Sequence, residues 1–242
     1  IYIDLTEETN GNFDAAVDLA LRMKEAVTKA TGGMTCSVGL SENKLTSKIC
    51  SDLQKPNGLS VVRPEQFQEI IWPLPVGKIN GVGPKAQEKL KAMGVNSIAD
   101  LAAQPVELLR DRFGESYGLW MHESAHGIDR REVTLYSEPK SISRETTFEN
   151  DMHVRRDRDN LTEVLLHLAD RLSQDLARKQ RLAKTIGVKV RFADFKSLTR
   201  DITTGDTVGT KEDIVRAARA CLKKIPFEEK GARSTVRLLG IK

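Results

Sequence analysis

The spacing of apolar residues changes twice along this chain, and this change most constrains the fold. Residues 1–62 combine alternation with helical spacing, residues 64–129 keep helical spacing throughout, and residues 140–242 return to a mixture of both. Side chains repeat every two residues in a strand and about every 3.6 residues in a helix. The pattern therefore predicts an α+β chain with three regions of different architecture. A length of 242 residues also fits two or three small domains better than a single domain.

The first region is predicted to follow the order β-α-β-α-β. Alternation predicts strands at residues 1–5, 34–40 and 59–62, and helical spacing predicts helices at 13–30 and 43–53. Because the alternation begins at the first residue, we expect that the start of the natural chain is missing. The region is thus expected to be one piece of an α/β domain.

The central region is predicted to be a small all-helical domain that ends near residue 130. Its helices must be short, because residues that interrupt or end helices recur along it. These are Pro73, Pro75, Gly94, Pro105, Gly114 and Gly127. The mostly polar residues 131–139 are predicted to form a linker.

The last region is predicted to follow the order β-α-β-β-α-β, a split βαβ arrangement with one sheet backed by two helices. The strands are expected at 140–148, 185–192, 197–203 and 235–241, and the helices at 157–181 and 211–224. The open face of such a sheet can be polar, although alternation allows only some of the nearby basic residues to share it. Those on or beside the strands are Lys140, Arg144, Lys189, Arg191, Arg200, Arg233 and Arg237.

Charge divides unevenly between the two ends of the chain. Residues 140–242 carry 23 Lys and Arg against 15 Asp and Glu, a net charge of +8, and residues 1–139 have a net charge of −4. A basic C-terminal region suggests that it holds a polyanion. A solvated surface with no such partner explains the charge equally well.

The stretch INGVGPKAQEKLKAMG, residues 79–94, combines a glycine-rich turn with a helix start. The first amides of a helix are unpaired and carry partial positive charge, and glycine lets another backbone approach closely. With a short helix expected before it, the stretch predicts a helix-hairpin-helix that grips nucleic-acid phosphates without reading bases. The predicted contacts are Gly81, Val82, Gly83 and Lys85; the alternative is a tight turn with no ligand.

Two other motifs are weaker. In KICSDLQKPNG the residues Lys48, Asp52 and Lys55 share one helix face at spacings of four and three, which suits a triphosphate or simply a solvated face. HESAH, residues 122–126, matches a zinc-binding pattern, although Gly127 ends the helix at once and no third ligand is placed nearby. We expect two surface histidines there.

Three cysteines, Cys36, Cys50 and Cys221, are far apart and odd in number, so we expect unpaired thiols and a cytoplasmic protein. No apolar run reaches the roughly 18 residues of a membrane span, and no membrane association is expected.

Several stretches together resemble the Y-family translesion DNA polymerases of the bacterial DNA polymerase IV type. In order along the chain they are SVGLSENKLTSKICSDLQKPNG, LPVGKINGVGPKAQEKLKAMGV, HGIDRREV and KSISRETTF. The resemblance runs from Ile1 to Lys242. It implies a partial palm at 1–62, a thumb with the helix-hairpin-helix at 63–130, a linker at 131–139 and a little-finger DNA-binding domain at 140–242.

The resemblance also implies roles for individual residues. Lys55 would hold the triphosphate of the incoming deoxynucleotide, and the carbonyls of Gly77, Ile79 and Val82 would share a structural cation with a DNA phosphate. DNA contacts are implied for the hairpin and for the little finger, at Gly81, Val82, Gly83, Lys85, Lys140, Ser141, Arg144, Lys189, Arg191 and Arg237. The implied partners are primer–template DNA and, for the parent protein, a sliding clamp; a monomer in the bacterial cytoplasm, associated with the nucleoid, is expected.

No catalytic residue is expected within these 242 residues. In the family the carboxylates that bind catalytic Mg²⁺ precede the strand resembling IYID, and Asp4 matches a nearby aspartate that is not a principal ligand. We therefore expect DNA binding without catalysis. The alternatives are a polymerase-derived DNA-binding or recruitment protein without activity, and a zinc hydrolase using HESAH. An Asp-Glu pair directly before Ile1 would favour the polymerase, and metal analysis would test the hydrolase.

Overall fold

A computed structural model describes residues 1–242 and divides them into two compact units, residues 1–136 and residues 137–242. It contains no helix that is both long and apolar enough to cross a membrane. The mixed helix and sheet architecture expected from the sequence is confirmed.

The first part of unit 1 is a small βαβ arrangement. Its elements are α1 (Thr6–Thr9), α2 (Phe13–Ala30), β1 (Val38–Leu40), α3 (Lys44–Cys50) and β2 (Leu59–Val61). Strands β1 and β2 pair in parallel, with Val38 opposite Leu59, and helix α3 connects them. Asn12 caps α2 by accepting from the amides of Asp14 and Ala15.

Two predictions for this part are wrong. Residues 1–5 form no strand, because a strand requires a hydrogen-bonded neighbour and β1 and β2 pair only with each other. Helix α3 ends at Cys50 instead of continuing to Leu53, and residues 51–57 form turns. Lys55 therefore lies outside the helix that was predicted to carry the Lys48–Asp52–Lys55 set.

The rest of unit 1 is helical, as predicted. Two 3₁₀ turns (Pro64–Gln66 and Val76–Lys78) accompany α4 (Phe67–Ile70), α5 (Pro84–Ala92), α6 (Ile98–Ala102), α7 (Val106–Phe113) and α8 (Glu115–Ala125). Leu90, Ile98, Leu101, Leu109 and Met121 are fully buried in one apolar core. Leu45 and Ile49 of α3 belong to the same core, so the helices and the βαβ part pack as one body.

Unit 2 is a four-stranded antiparallel sheet with two helices packed on one face. Its elements are β3 (Arg144–His153), α9 (Arg158–Arg178), β4 (Ala183–Phe192), β5 (Ser197–Val208), α10 (Lys211–Leu222) and β6 (Thr235–Ile241). The strands lie in the order β3-β6-β4-β5. Alternate β4 residues Ile186, Val188, Val190 and Phe192 are buried against the two helices. The order is the predicted β-α-β-β-α-β, although β3 begins at Arg144 instead of Lys140.

Candidate nucleic-acid interface

The Gly-Val-Gly hairpin is anchored by its apolar residues and closed by backbone hydrogen bonds. Ile79 and Val82 are buried, and the amide of Val82 donates to the carbonyl of Ile79 at 2.9 Å. The carbonyl of Gly83 accepts from the amides of Ala86 and Gln87, each at 3.0 Å, which starts α5. A 3₁₀ turn precedes the hairpin and an α-helix follows it, the geometry expected of a helix-hairpin-helix.

Three amides at this turn face solvent without a partner. The amides of Gly81, Gly83 and Lys85 donate no hydrogen bond within the chain, all three residues are exposed, and no side chain caps α5. Pro84, at the first position of the helix, has no amide hydrogen to offer. Unpaired amides at the start of a helix favour the binding of an anion, and Lys85, in the first turn of α5, adds a positively charged side chain at the same end of the helix.

The two positions of the hairpin that carry glycine differ in why glycine is found there. Gly81 has φ +123°, and a Cβ there would lie 2.6 Å from Cη2 of Trp120. Gly83 has φ −78°, and a Cβ there would meet no atom within 4 Å. Glycine is therefore required at Gly81 by the chain itself, whereas at Gly83 it leaves open space at the exposed end of α5.

An aromatic pair on α8, Tyr117 and Trp120, which was not predicted from the sequence, contacts the hairpin at Gly81. The hydroxyl of Tyr117 donates to the carbonyl of Gly81 at 2.7 Å, and the rings of Tyr117 and Trp120 stack with centroids 5.3 Å apart. Burial raises the pKa of Tyr117, so its hydroxyl stays a donor. The spacing of three residues on α8 indicates a shared face, but not that this face meets the hairpin.

The three carbonyls predicted to bind a cation are partly engaged within the chain. The carbonyl of Ile79 accepts from Val82, and that of Val82 accepts from Nε2 of Gln87 at 2.9 Å. The Gln87 amide also fills the space beside Gly77. A cation held by all three carbonyls would compete with this amide for Val82, and the site stays a prediction.

Lys55 lies in the turn after α3 and presents its ammonium to solvent. The Asp52 carboxylate contacts Lys55 and lies 2.8 Å from Nζ of Lys48. Hydrogen bonds from Lys48 and then Lys55 lower the pKa of Asp52 to about 2. The three residues therefore meet as expected, although through a turn instead of one helix face, and 59% of the Lys55 side chain is exposed.

Lys24 of α2, which the sequence analysis did not identify, holds the same turn in place. Its Nζ lies 2.6 Å from the carbonyl oxygen of Cys36 and 3.2 Å from the carbonyl oxygen of Gly58. It also lies 2.8 Å from the carbonyl oxygen and 2.8 Å from the side-chain oxygen of Asn57. Asn57, two residues after Lys55, has φ +58°. The ammonium thus fixes a turn whose left-handed residue is an asparagine, one of the residue types that adopt positive φ most readily after glycine. No local pattern links Lys24 to a residue 33 positions away.

Two of the predicted little-finger contacts lie on the open face of the sheet. Lys189 and Arg191 pair with Gly240 and Leu238, between buried β4 residues that face the helices. Lys189 Nζ lies 2.9 Å from Oε2 of Glu145, and Arg191 Nε donates to the Ser197 hydroxyl at 3.1 Å. The open face is therefore polar and carries both signs of charge, because Glu145 and Asp201, which pairs with Gly187, lie on it with the two cations.

Other basic residues are placed differently. Arg144 and Arg200 pair with the core residues Ile241 and Val188, so they lie on the helix-covered side. Arg144 Nε lies 2.5 Å from the buried carboxylate of Asp175 in α9. Because this carboxylate holds the guanidinium, the prediction that Arg144 contacts DNA has less support than that for Lys189.

The remaining predicted contacts lie near the ends of strands. Lys140 and Ser141 lie in the segment before β3, and both are exposed. Arg237 lies at an irregularity in β6, with its guanidinium 4.6 Å from the ring centre of Phe195 and 3.5 Å from Asp151. Arg233 belongs to the 3₁₀ turn Ala232–Ser234.

The HESAH motif shows no metal-binding geometry. Glu123 pairs with Arg130 at 2.6 Å, and Nδ1 of His126 lies 2.8 Å from the carbonyl oxygen of His122. No group of three His, Cys, Asp or Glu side chains is placed to hold a metal ion anywhere in residues 1–242. The zinc alternative therefore has no structural support.

The three cysteines are unpaired, as predicted. Burial raises the pKa of Cys50 to about 11 and raises that of Cys221 as well. Both thiols are therefore protonated at neutral pH and act as small apolar core residues.

The HGIDRREV segment, residues 126–133, forms hydrogen bonds with the start of α3. The Asp129 carboxylate accepts from the amide of Leu45 at 3.0 Å and from Nε and Nη2 of Arg131 at 2.7 and 2.8 Å. The hydrogen bond from Arg131 lowers the pKa of Asp129, and Asn43 donates to the carbonyl of Gly127 at 2.8 Å. These contacts join the end of the helical part to the element that precedes the Lys55 turn.

Comparisons with known proteins account for most of the chain. Residues 1–52 match the impB/mucB/samB family, residues 64–95 match the IMS family HHH motif, and residues 139–242 match the impB/mucB/samB family C-terminal domain. DNA polymerase IV of Methanoculleus marisnigri is 39% identical over 241 residues, which cover 100% of this chain and 64% of that protein. DNA polymerase IV 2 of Agrobacterium fabrum is 35% identical, with 99% of this chain and 64% of that protein covered.

Solved structures share the fold. A Y-family DNA polymerase chimera of Dbh and Dpo4 superposes with a TM-score of 0.73 at 23% identity, covering 99% of this chain and 66% of its own. An insertion ternary complex of Dbh DNA polymerase gives a TM-score of 0.56 at 23% identity over the same shares. The chain spans less than two thirds of the length of the curated relatives named above. Three consecutive matches to one family, in the order of its domains, show that the chain belongs to the impB/mucB/samB family, the Y-family DNA polymerases.

Proposed function

We propose that these 242 residues hold primer–template DNA for a template-directed DNA polymerase. The hairpin is the observation that supports this most strongly. Gly81, Gly83 and Lys85 present unpaired amides at the start of α5, and the space beside Gly83 is open. Such a site binds a phosphate of any sequence, which suits a protein that moves along DNA.

The other sites complete the proposal. Lys55 would hold the triphosphate of the incoming deoxynucleotide, in a turn fixed by Lys24 and Asp52. Lys189 and Arg191 would face DNA from the open sheet, and Lys140, Ser141, Arg144 and Arg237 would add contacts near the strand ends. On this assignment residues 1–62 are a partial palm, 63–130 a thumb, 131–139 a linker and 140–242 a little finger.

The reaction of the whole protein would be nucleotide addition. The primer 3′-hydroxyl attacks the α-phosphorus of the bound nucleotide, a P–O bond forms to the primer, and pyrophosphate leaves. We propose that damaged templates are accepted, with a sliding clamp as partner and a monomer located at the bacterial nucleoid. This chain's own part is to bind DNA and to orient the triphosphate.

The residues described here do not fit a two-metal site. Such a site needs carboxylates that hold two Mg²⁺ ions about 4 Å apart. No three candidate ligands converge within residues 1–242, and Asp4 binds its own neighbour Thr6 through backbone and side chain. We therefore assign no catalytic residue here and propose that this polypeptide binds DNA without extending it.

The binding proposal is tested by titrating primer–template DNA at several salt concentrations. Neutralising roughly four to six phosphates gives a slope of log K against log salt of about −4 to −5, because counterions are released. Two duplexes of unrelated sequence serve as a control and should bind equally. A flat salt dependence, or a strong sequence preference, would contradict backbone binding.

The proposal about activity is tested by primer extension with Mg²⁺ and all four deoxynucleotides. We expect no extension by residues 1–242, while the same preparation still binds the substrate. Reproducible extension by a pure sample would show that the polypeptide supplies a metal site that the described residues do not reveal.

A further inference from the structure

The turn between β4 and β5 contains a residue that the turn itself does not favour. Phe192 donates its amide to the carbonyl of Lys196 at 2.9 Å, which closes a loop of Ala193, Asp194 and Phe195. The third residue of such a three-residue hairpin loop adopts the left-handed conformation and is usually glycine. Here it is Phe195, with φ +63°.

Two features of Phe195 are unfavourable for folding. A bulky side chain is rare at positive φ, and 63% of this large apolar residue is exposed to water. Glycine or asparagine would form the same turn without either cost. Backbone strain of this kind, retained at an exposed position, is typical of functional sites.

The surroundings of Phe195 indicate what it meets. The Arg237 guanidinium lies 4.6 Å from the ring centre, a cation–π contact that covers part of the ring. Lys196 follows directly, with 77% of its side chain exposed, and Arg191 lies on the open sheet face near the same end of β4. Two carboxylates also lie here, since Asp194 is 3.4 Å from Lys196 and Asp151 is 3.5 Å from Arg237. An exposed aromatic ring beside three cations, in a region with a net charge of +8, suits a polyanion with flat apolar groups.

We propose that Phe195 is a stacking platform for an unpaired base of single-stranded DNA, with Arg237 behind the ring and Lys196 beside the strand's backbone. Within a duplex the base faces are covered by their neighbours, so apart from the outer faces of the two terminal base pairs only single-stranded or unstacked bases offer a face. This inference rests on the proposed DNA binding and adds to it a contact that tells single strand from duplex.

The test uses the 242-residue chain and three DNA probes: a blunt duplex, a primer–template with a single-stranded overhang, and a single strand. Phe195→Gly and Phe195→Asn remove the ring but suit positive φ, so their melting temperatures should equal or exceed that of the wild type. Phe195→Trp keeps a stacking surface. Leu182→Asn is the matched control, because Leu182 is an exposed apolar residue of unit 2 with 65% exposure.

We expect Phe195→Gly and Phe195→Asn to bind the overhang and the single strand about five- to more than a hundredfold more weakly, the loss typical of one stacked base. Blunt-duplex binding should stay unchanged, and Phe195→Trp and Leu182→Asn should match the wild type on every probe. Equal binding by the two ring-deleted variants would overturn the inference, as would equal losses on duplex and single strand. A lower melting temperature in both would also overturn it, since the ring would then be a packing residue. A wild-type chain that binds no probe would refute the proposed function itself.

Discussion

The two hairpin glycines allow binding to be separated from folding. Gly83→Val adds a branched side chain where no atom lies within 4 Å and where φ is −78°, which valine adopts readily. The fold should therefore tolerate it. The new side chain would occupy the space through which a phosphate approaches the amides of Gly83 and Lys85.

The magnitude follows from the contact that is lost. A hydrogen bond to a charged group contributes roughly 1.5–3 kcal/mol, so Gly83→Val should weaken DNA binding about ten- to more than a hundredfold. Lys85→Ala should cost less, because an exposed charge is partly screened by water and salt. Fluorescence anisotropy with labelled primer–template DNA measures both.

Gly81→Ala is the contrasting variant. Its Cβ would lie 2.6 Å from Trp120 at a backbone φ of +123°. This combination should destabilise unit 1 by about 1–3 kcal/mol and lower its melting temperature by several degrees. Gly83→Val is expected to melt like the wild type; if it also binds DNA as tightly as the wild type, the hairpin is only a turn and does not bind phosphate.

Two further predictions concern the contacts that hold the neighbouring turn. Lys24→Met removes the ammonium from its carbonyl oxygens, so hydrogen exchange of the Val38 amide, which donates to Gly58 at 2.9 Å, should accelerate; unchanged exchange would contradict the role of Lys24. Asp129→Asn should destabilise the chain near neutral pH by about 1–3 kcal/mol, because the bidentate pair with Arg131 is lost. The pKa of Asp129 is lowered in the folded state, so its ionised carboxylate stabilises the fold at pH values above the ordinary pKa of 3.8, and this stabilisation is lost as the pH falls below it. The difference in the free energy of unfolding between wild type and variant, measured with denaturant, should therefore disappear at low pH. A difference that does not change with pH would contradict this.

Local signals were sufficient for much of the fold. Helix α2 has the predicted bounds, because its apolar spacing and the Asn12 cap are both local. The order of strands and helices in unit 2 follows from periodicity in the same way. The segment Ile1–Leu5 has strand-like alternation but no strand to pair with, and periodicity cannot supply a partner.

The candidate site shows the same division. The hairpin and its unpaired amides were predictable, because glycines followed by Pro84 specify a turn and a helix start within a few residues. Lys24 and Trp120 were not, because each meets its partner only after distant segments pack. Arg144 had the right charge, but the strand register that turns it toward Asp175 depends on pairing with β6.

The central claim is that the hairpin amides bind DNA phosphate, and amide NMR of the isotope-labelled chain tests it most directly. On titration with duplex DNA, the amide signals of Gly83 and Lys85 should move downfield and saturate with the dissociation constant measured by anisotropy. The buried amide of Val82, which already donates to Ile79, should move less. If Gly83 and Lys85 keep their positions while the DNA binds, the chain holds DNA elsewhere and the account is wrong.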